Sequence, residues 1–182
     1  MNETQDQVSL PADKNPRNLQ LHRLRTRIWV PQPIDEVFAF FSDALNLDEL
    51  TPPWLHFKVV TPAPIEMRTG ALIDYRIRVR GLPMSWRSEI TTWDPPHRFV
   101  DEQRKGPYAF WYHQHDFQPV DGGTAISDHV WFRSRGGFLE PWIHRFWVVR
   151  DLQRIFGYRV DHLAQRYGVE PSEAARKVVI ED

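Results

Sequence analysis

The run from Ala109 to Phe132, AFWYHQHDF (109–117), QPVDGG (118–123) and TAISDHVWF (124–132), decides the fold. Two segments rich in aromatic and β-branched residues flank a break containing Pro119 and Asp121-Gly122-Gly123, the pattern of an antiparallel hairpin. With Phe117 facing Thr124, His115 faces Ile126, His113 faces Asp128 and Trp111 faces Val130. Residues two apart on a strand share a face, so Trp111, His113, His115 and Phe117 fall with Ile126, Asp128, Val130 and Phe132. That face holds the apolar residues and is therefore the inner one, which points two histidines and one aspartate inward.

Upstream, strand-like runs at Phe57–Val60, Ala71–Arg80, Met84–Asp94 and Arg98–Arg104 are separated by Arg68-Thr69-Gly70, Gly81-Leu82-Pro83, Asp94-Pro95-Pro96 and Gly106-Pro107. Links this short predict an antiparallel meander. Before them, Leu19 to Ile28 reads as a first strand ending at Pro31. Pro33 then opens a short helix, with Ile34, Val37, Phe38 and Phe41 on one face and Asp35 and Glu36 at its positive end. A second helical turn, Leu45–Leu50, stops at Thr51-Pro52-Pro53.

Downstream, Ile143, Phe146, Trp147, Leu152, Ile155, Phe156, Val160, Leu163 and Tyr167 recur at helical spacing. The expectation is one helix from Glu140 or Pro141 to Tyr167, ending at Gly168. At 1.5 Å per residue it spans about 40 Å, enough to cross a whole sheet. Gly157 in mid-helix reads as a kink or a close approach. Residues 1–18, polar and carrying Pro11 and Pro16, read as a disordered tail; 19–168 form the domain, and 169–182 a C-terminal tail with at most a weak helical turn.

Rings make up 13% of the chain, with Trp 8, Phe 11 and Tyr 5, so a packed interior or a pocket must accommodate them. The net charge of −1 gives no overall attraction to nucleic acid. Cysteine is absent, which excludes disulfides, thiolate zinc sites and a cysteine nucleophile. No secretory signal and no run of about 20 apolar residues is present, so a cytoplasmic protein without stable membrane insertion is expected.

The order strand, two short helices, six antiparallel strands, long C-terminal helix resembles the helix-grip fold of the birch pollen allergen and START-domain superfamily, SRPBCC. IDEVFAFF (34–41), WRSEI (86–90), Pro95 to Asp101, Gly106-Pro107, HQHDF (113–117) and Gly122-Gly123-Thr124 look like its bacterial ligand-binding branch. The resemblance implies an α+β fold: a curved seven-stranded antiparallel sheet around the C-terminal helix, with two short helices between the first and second strands. It also implies a cavity between sheet and helix.

Asp101 and Gln103 join the inner face beside Phe99, Ser88 lies between Trp86 and Ile90, and Tyr75 between Ile73 and Ile77. Polar groups on an apolar wall must bond one another, water or a ligand. The expected ligand-binding set is Tyr75, Trp86, Ser88, Phe99, Asp101, Gln103, Trp111, His113, His115, Asp128, Phe132 and, from the helix, Phe146. His113, His115 and Asp128 are also candidates for acid–base chemistry, and equally for a self-satisfied structural network. Without a third well-spaced histidine no metal is expected, and no cofactor. Trp93 and Trp131 fall on the outer face and read as a surface or homodimer contact, while Arg145, Arg150, Arg154, Arg159 and Arg166 read as a solvated helix side.

Three functions follow. The first is binding or carrying an apolar small molecule, such as a lipid, isoprenoid or polycyclic metabolite. The second, implied by the resemblance, is a polyketide cyclase or dehydratase using a His–Asp pair. The third is a noncatalytic protein-partner module built on Trp93 and Trp131.

Overall fold

A computed structural model describes residues 8–15, 18–170 and 178–181. Its strands are β1 (His22–Val30), β2 (Lys58–Val59), β3 (Leu72–Val79), β4 (Leu82–Asp94), β5 (Arg98–Lys105), β6 (Tyr108–Val120), β7 (Gly123–Ser134) and β8 (Val179–Glu181). They form one open antiparallel sheet in the order β2-β3-β4-β5-β6-β7-β1-β8. Strand β1 returns to pair with β7, and the meander β2 to β7 is as expected. The eighth strand is not: Ile180 pairs with Leu24, so the end of the supposed tail covers the edge of β1. The weak helical turn considered in that tail lies largely outside the described residues.

Between β1 and β2 stands α1 (Ile34–Ser42), started by Pro33 and burying Val37, Phe38, Phe40 and Phe41 against the sheet. The second expected helix is only a 3-10 turn, Ala44–Leu47, followed by another at Pro53–Leu55. The C-terminal helix is interrupted rather than continuous. It comprises α2 (Glu140–Ile143), a π turn (His144–Val148) and α3 (Val149–Tyr167), with Gly168 at φ +64° closing the end.

A π turn adds a residue to one helical turn. The stripe of Leu152, Phe156, Val160 and Leu163 faces the sheet, whereas Trp142 and Phe146 upstream stack on each other, outside the core, at 5.9 Å. The irregularity therefore sits at 144–148 and not at Gly157, where an added Cβ would meet nothing within 4 Å.

Two further expectations change for identifiable reasons. Opposite β5, Ile90 pairs with Asp101 and Thr92 with Val100, leaving Thr91 as an extra residue in β4. Such a bulge inverts the alternation, so Trp93 turns inward and packs on Phe38 and Phe99. Trp131 does lie on the outer face, but it is only 7% exposed, packed among Val100, Tyr112, Val8, Leu10 and Leu21. Residues 8–15, read as part of a disordered tail, thus lie over the convex face, with Lys14 Nζ bonded to Glu102 Oε1 at 2.7 Å. The rest of that expectation, residues 1–7, 16 and 17, lies outside the described residues. Neither tryptophan is available as the free contact surface expected of it.

Candidate functional site

The β6–β7 hairpin turns in two residues, Asp121 and Gly122, with Gly122 at φ +76° and Val120 paired to Gly123. This is tighter than the loop implied by pairing Phe117 with Thr124. Every partner is displaced by two: Phe117 faces Ile126, His115 faces Asp128, His113 faces Val130 and Trp111 faces Phe132. A shift of two preserves parity, so the expected face survives although the expected pairs do not.

On that face a chain of polar side chains crosses five adjacent strands. Thr26 Oγ1 on β1 donates to Asp128 Oδ2 on β7 at 3.0 Å. Asp128 Oδ1 accepts from His113 Nε2 on β6 at 3.0 Å, and Asp101 Oδ2 on β5 accepts from His115 Nε2 at 3.2 Å. Ser88 Oγ on β4 donates to Asp101 Oδ1 at 3.2 Å and accepts from Trp86 Nε1 at 3.1 Å. His115 Nδ1 also comes within 3.0 Å of Asp128 Oδ1, but out of line for a hydrogen bond. Phe99 covers the His115 ring at 4.2 Å.

The two imidazoles, 3.8 Å apart between ring centres, titrate in opposite directions. Burial, then the proximity of His115, pushes His113 down to about 4. Burial opposes the charge of His115 too, but Asp101 and Asp128 outweigh it and raise its pKa. Burial likewise opposes the charges of both aspartates, yet each is lowered, Asp128 strongly by Arg159 and the histidines, and Asp101 by the histidines and Ser88. The surroundings thus favour the charged form of His115, the neutral form of His113 and the ionised form of both aspartates.

This row forms the floor of a cavity of about 850 Å³ between the sheet and α3. Much of its wall is apolar, including Phe41, Leu50, Ile73, Ile77, Leu152 and Phe156, with Arg80, Arg150, Asp151, Arg154 and Arg159 also in the lining. Of the expected set, Tyr75, Trp86, Ser88, Phe99, Asp101, Trp111, His113 and His115 line it. Four do not. Asp128 sits behind the histidines, and Phe132 is wholly buried beneath Trp111 and Tyr108. Gln103 spends its amide on the backbone of Tyr108. Phe146 is 56% exposed because the π turn carries it outward.

Three arginines expected on the solvated helix side, Arg150, Arg154 and Arg159, line the cavity, and the last of them is buried. Arg159 is 8% exposed, with Nη1 3.7 Å from Asp128 Oδ1 and its guanidinium over the Phe41 ring. The signal was present in the spacing, since Arg159 falls between Phe156 and Leu163 in the apolar stripe. A basic side chain there reads as solvated until its neighbours are known.

Among the described residues, two groups bring possible metal-binding atoms within 4.8 Å of one another: Asp101, His113 and His115, and a second group, His22, Glu140 and His144, for which the sequence pattern carries no signal. In the second, His22 Nε2 bonds Glu140 Oε1 at 3.2 Å, and the two rings stack 3.4 Å apart at 8°. Nearly parallel rings aim their in-plane lone pairs side by side rather than at one ion. His113 Nε2 and His115 Nε2 are taken up by Asp128 and Asp101, while His115 Nδ1 has no hydrogen-bond partner among the described residues. Each group contains a histidine–carboxylate hydrogen bond, His22 to Glu140 in one and His115 to Asp101 in the other.

A family model described as polyketide cyclase/dehydrase and lipid transport matches residues 22–168. None of the curated proteins compared matches the chain. Among solved structures, the ZhuI aromatase/cyclase from Streptomyces sp. R1128 superposes with a TM-score of 0.65 at 16% identity, covering 82% of this chain and 94% of that one. Protein CV1439 from Chromobacterium violaceum gives 0.61 at 15% identity, covering 81% and 99%. Ara h 8.0201 gives 0.54 at 17%, covering 80% and 99%. At such identities these likenesses establish the shared fold.

Proposed function

The chain belongs to the polyketide cyclase/dehydrase and lipid transport family, of the SRPBCC helix-grip superfamily, and from that premise we propose that it binds and carries a hydrophobic small molecule. The ligand class is a lipid, isoprenoid or polycyclic metabolite, held between sheet and α3. The supporting observation is a cavity of about 850 Å³ between sheet and α3 whose lining is largely apolar and carries a small set of inward polar groups, Ser88, Asp101, His113 and His115 from the sheet and Arg159 from α3, the usual composition of a small-molecule site. A cytoplasmic location belongs to the same reading. No helix among the described residues is long and apolar enough to cross a membrane.

The test uses N-phenyl-1-naphthylamine, a neutral fluorophore that brightens in apolar surroundings. Saturable one-to-one binding is expected, together with its loss when Ile73→Trp fills the cavity of a folded variant. Absence of saturable binding to the native chain overturns the proposal.

A second reading, proton transfer of the cyclase or dehydratase kind, draws on the oppositely tuned His113 and His115 beside Asp101. An imidazole held toward its neutral form beside one held toward its charged form offers a base and an acid on one surface. The reading expects the native chain to accelerate hydrogen–deuterium exchange at the methyl group of acetophenone, and His113→Gln and His115→Gln to abolish it. Exchange at the buffer rate in the native chain removes it.

A further inference from the structure

Three arginines of this chain present the same edge of the guanidinium to different surroundings. Arg80 donates from Nε and Nη2 to the two carboxylate oxygens of Asp151 at 3.0 and 3.1 Å. Arg87 does the same to Asp74, with both distances 2.8 Å. At Arg159, in the cavity lining, Nε and Nη2 are buried and reach no acceptor among the described residues. The paired edge that holds a carboxylate twice elsewhere in the molecule is thus unmatched at the site.

Asp128 does not fill that role. Its Oδ1 lies 3.7 Å from Nη1, the nitrogen outside the paired edge, and already accepts from His113, while Oδ2 accepts from Thr26. The Phe41 ring, 5.3 Å from the guanidinium carbon, offers only its face. Buried donors without acceptors are costly, and more so on a charged group. A fork of two parallel N–H groups is the shape complementary to a planar carboxylate.

We infer that the ligand is an apolar carboxylic acid whose carboxylate is received by the Nε/Nη2 edge of Arg159, with its hydrocarbon part along the apolar walls. The inference rests on the binding function proposed above and names the ligand's head group. A carboxylate fits better than a phosphate: the edge offers two donors, and Asp101 and Asp128 nearby oppose a dianion. Arg159 enters from α3 while the polar row enters from the sheet, so the head group would be placed between the two layers.

The experiment displaces N-phenyl-1-naphthylamine from the protein with decanoate or decan-1-ol at neutral pH. Decanoate is expected to displace at a concentration about tenfold or more below that of decan-1-ol, as a charge-assisted pair in a dry site requires. In Arg159→Met the ratio of the two is expected to fall to near one, with Arg159→Lys, which keeps the charge but not the fork, between them. Equal displacement of the fluorophore from the native chain by acid and alcohol overturns the inference, and needs no variant to fold. So does an acid preference that survives in folded Arg159→Met, or one that disappears instead in Arg150→Gln, which would place the anion at the cavity mouth. Failure of the fluorophore to bind the native chain is a different result, and removes the underlying binding function.

Discussion

His113 and His115 lie 3.8 Å apart, ring centre to ring centre, between Asp101 and Asp128, and the environment drives their pKa values in opposite directions. A charge on one imidazole opposes a charge on the other, so the pair holds one proton more readily than two. Which ring carries it follows from position. His115 Nε2 meets Asp101 and its Nδ1 approaches Asp128, whereas His113 has one close carboxylate contact at 3.0 Å and a longer one at 3.5 Å.

Stability should pass through a maximum with pH, bounded by these two groups. His113 has a folded pKa of about 4, below its unfolded value, so its contribution is present above about 6.5 and is lost as pH falls toward 4. His115 has a raised folded pKa, so its contribution is present below about 6.5 and is lost as pH rises through the folded value. Urea unfolding between pH 4.5 and 9 should show the acid-side decline flattened in His113→Gln and the alkaline-side decline flattened in His115→Gln. Identical pH profiles for native and variant chains would contradict the assignment.

Asp128→Asn should destabilise the domain by about 3 kcal/mol or more, because it leaves the buried Arg159 without a counter-charge and loosens Thr26 and His113. Equilibrium unfolding measures this directly. A loss below about 1 kcal/mol would mean that the network is not holding the sheet together.

Trp131→Ala should cost about 3 kcal/mol by opening a cavity under Val8, Leu10 and Leu21. The residue is on the opposite face of the sheet from the cavity, so binding of N-phenyl-1-naphthylamine to the folded variant should persist. Unchanged stability would show that residues 8–15 do not pack there in solution.

Gly157→Ala should raise stability by about 1 kcal/mol, since the position is helical and an added methyl meets nothing within 4 Å. A thermal melt should move up by a few degrees. A lower midpoint would restore the alternative that Gly157 is needed for a close approach.

Much of the fold was legible because it depends on local periodicity. The aromatic and β-branched runs, the turn residues between them and the helical recurrence from Leu152 to Leu163 each report a backbone shape within a few residues. The inward face of β6 and β7 was legible for the same reason, as parity is unaffected by the two-residue displacement of register. The placement of Trp93 was not, because it depends on one extra residue, Thr91, whose effect exists only against β5. Nor was the exposure of Phe146, since a π turn has no distinct composition and alters the phase of everything beyond it.

The chain's own order of residues determined a sheet folded against a C-terminal helix, with His113, His115 and Asp128 on the inner side. Only tertiary structure decided the pairs: His113 with Asp128, His115 with Asp101, and Arg159 at the cavity with two donors unmatched. Strand parity is a property of one backbone, whereas hydrogen-bond partners, desolvation and the balance of buried charge arise between different segments, as between His115 on β6 and Asp101 on β5, or Asp128 on β7 and Arg159 on α3.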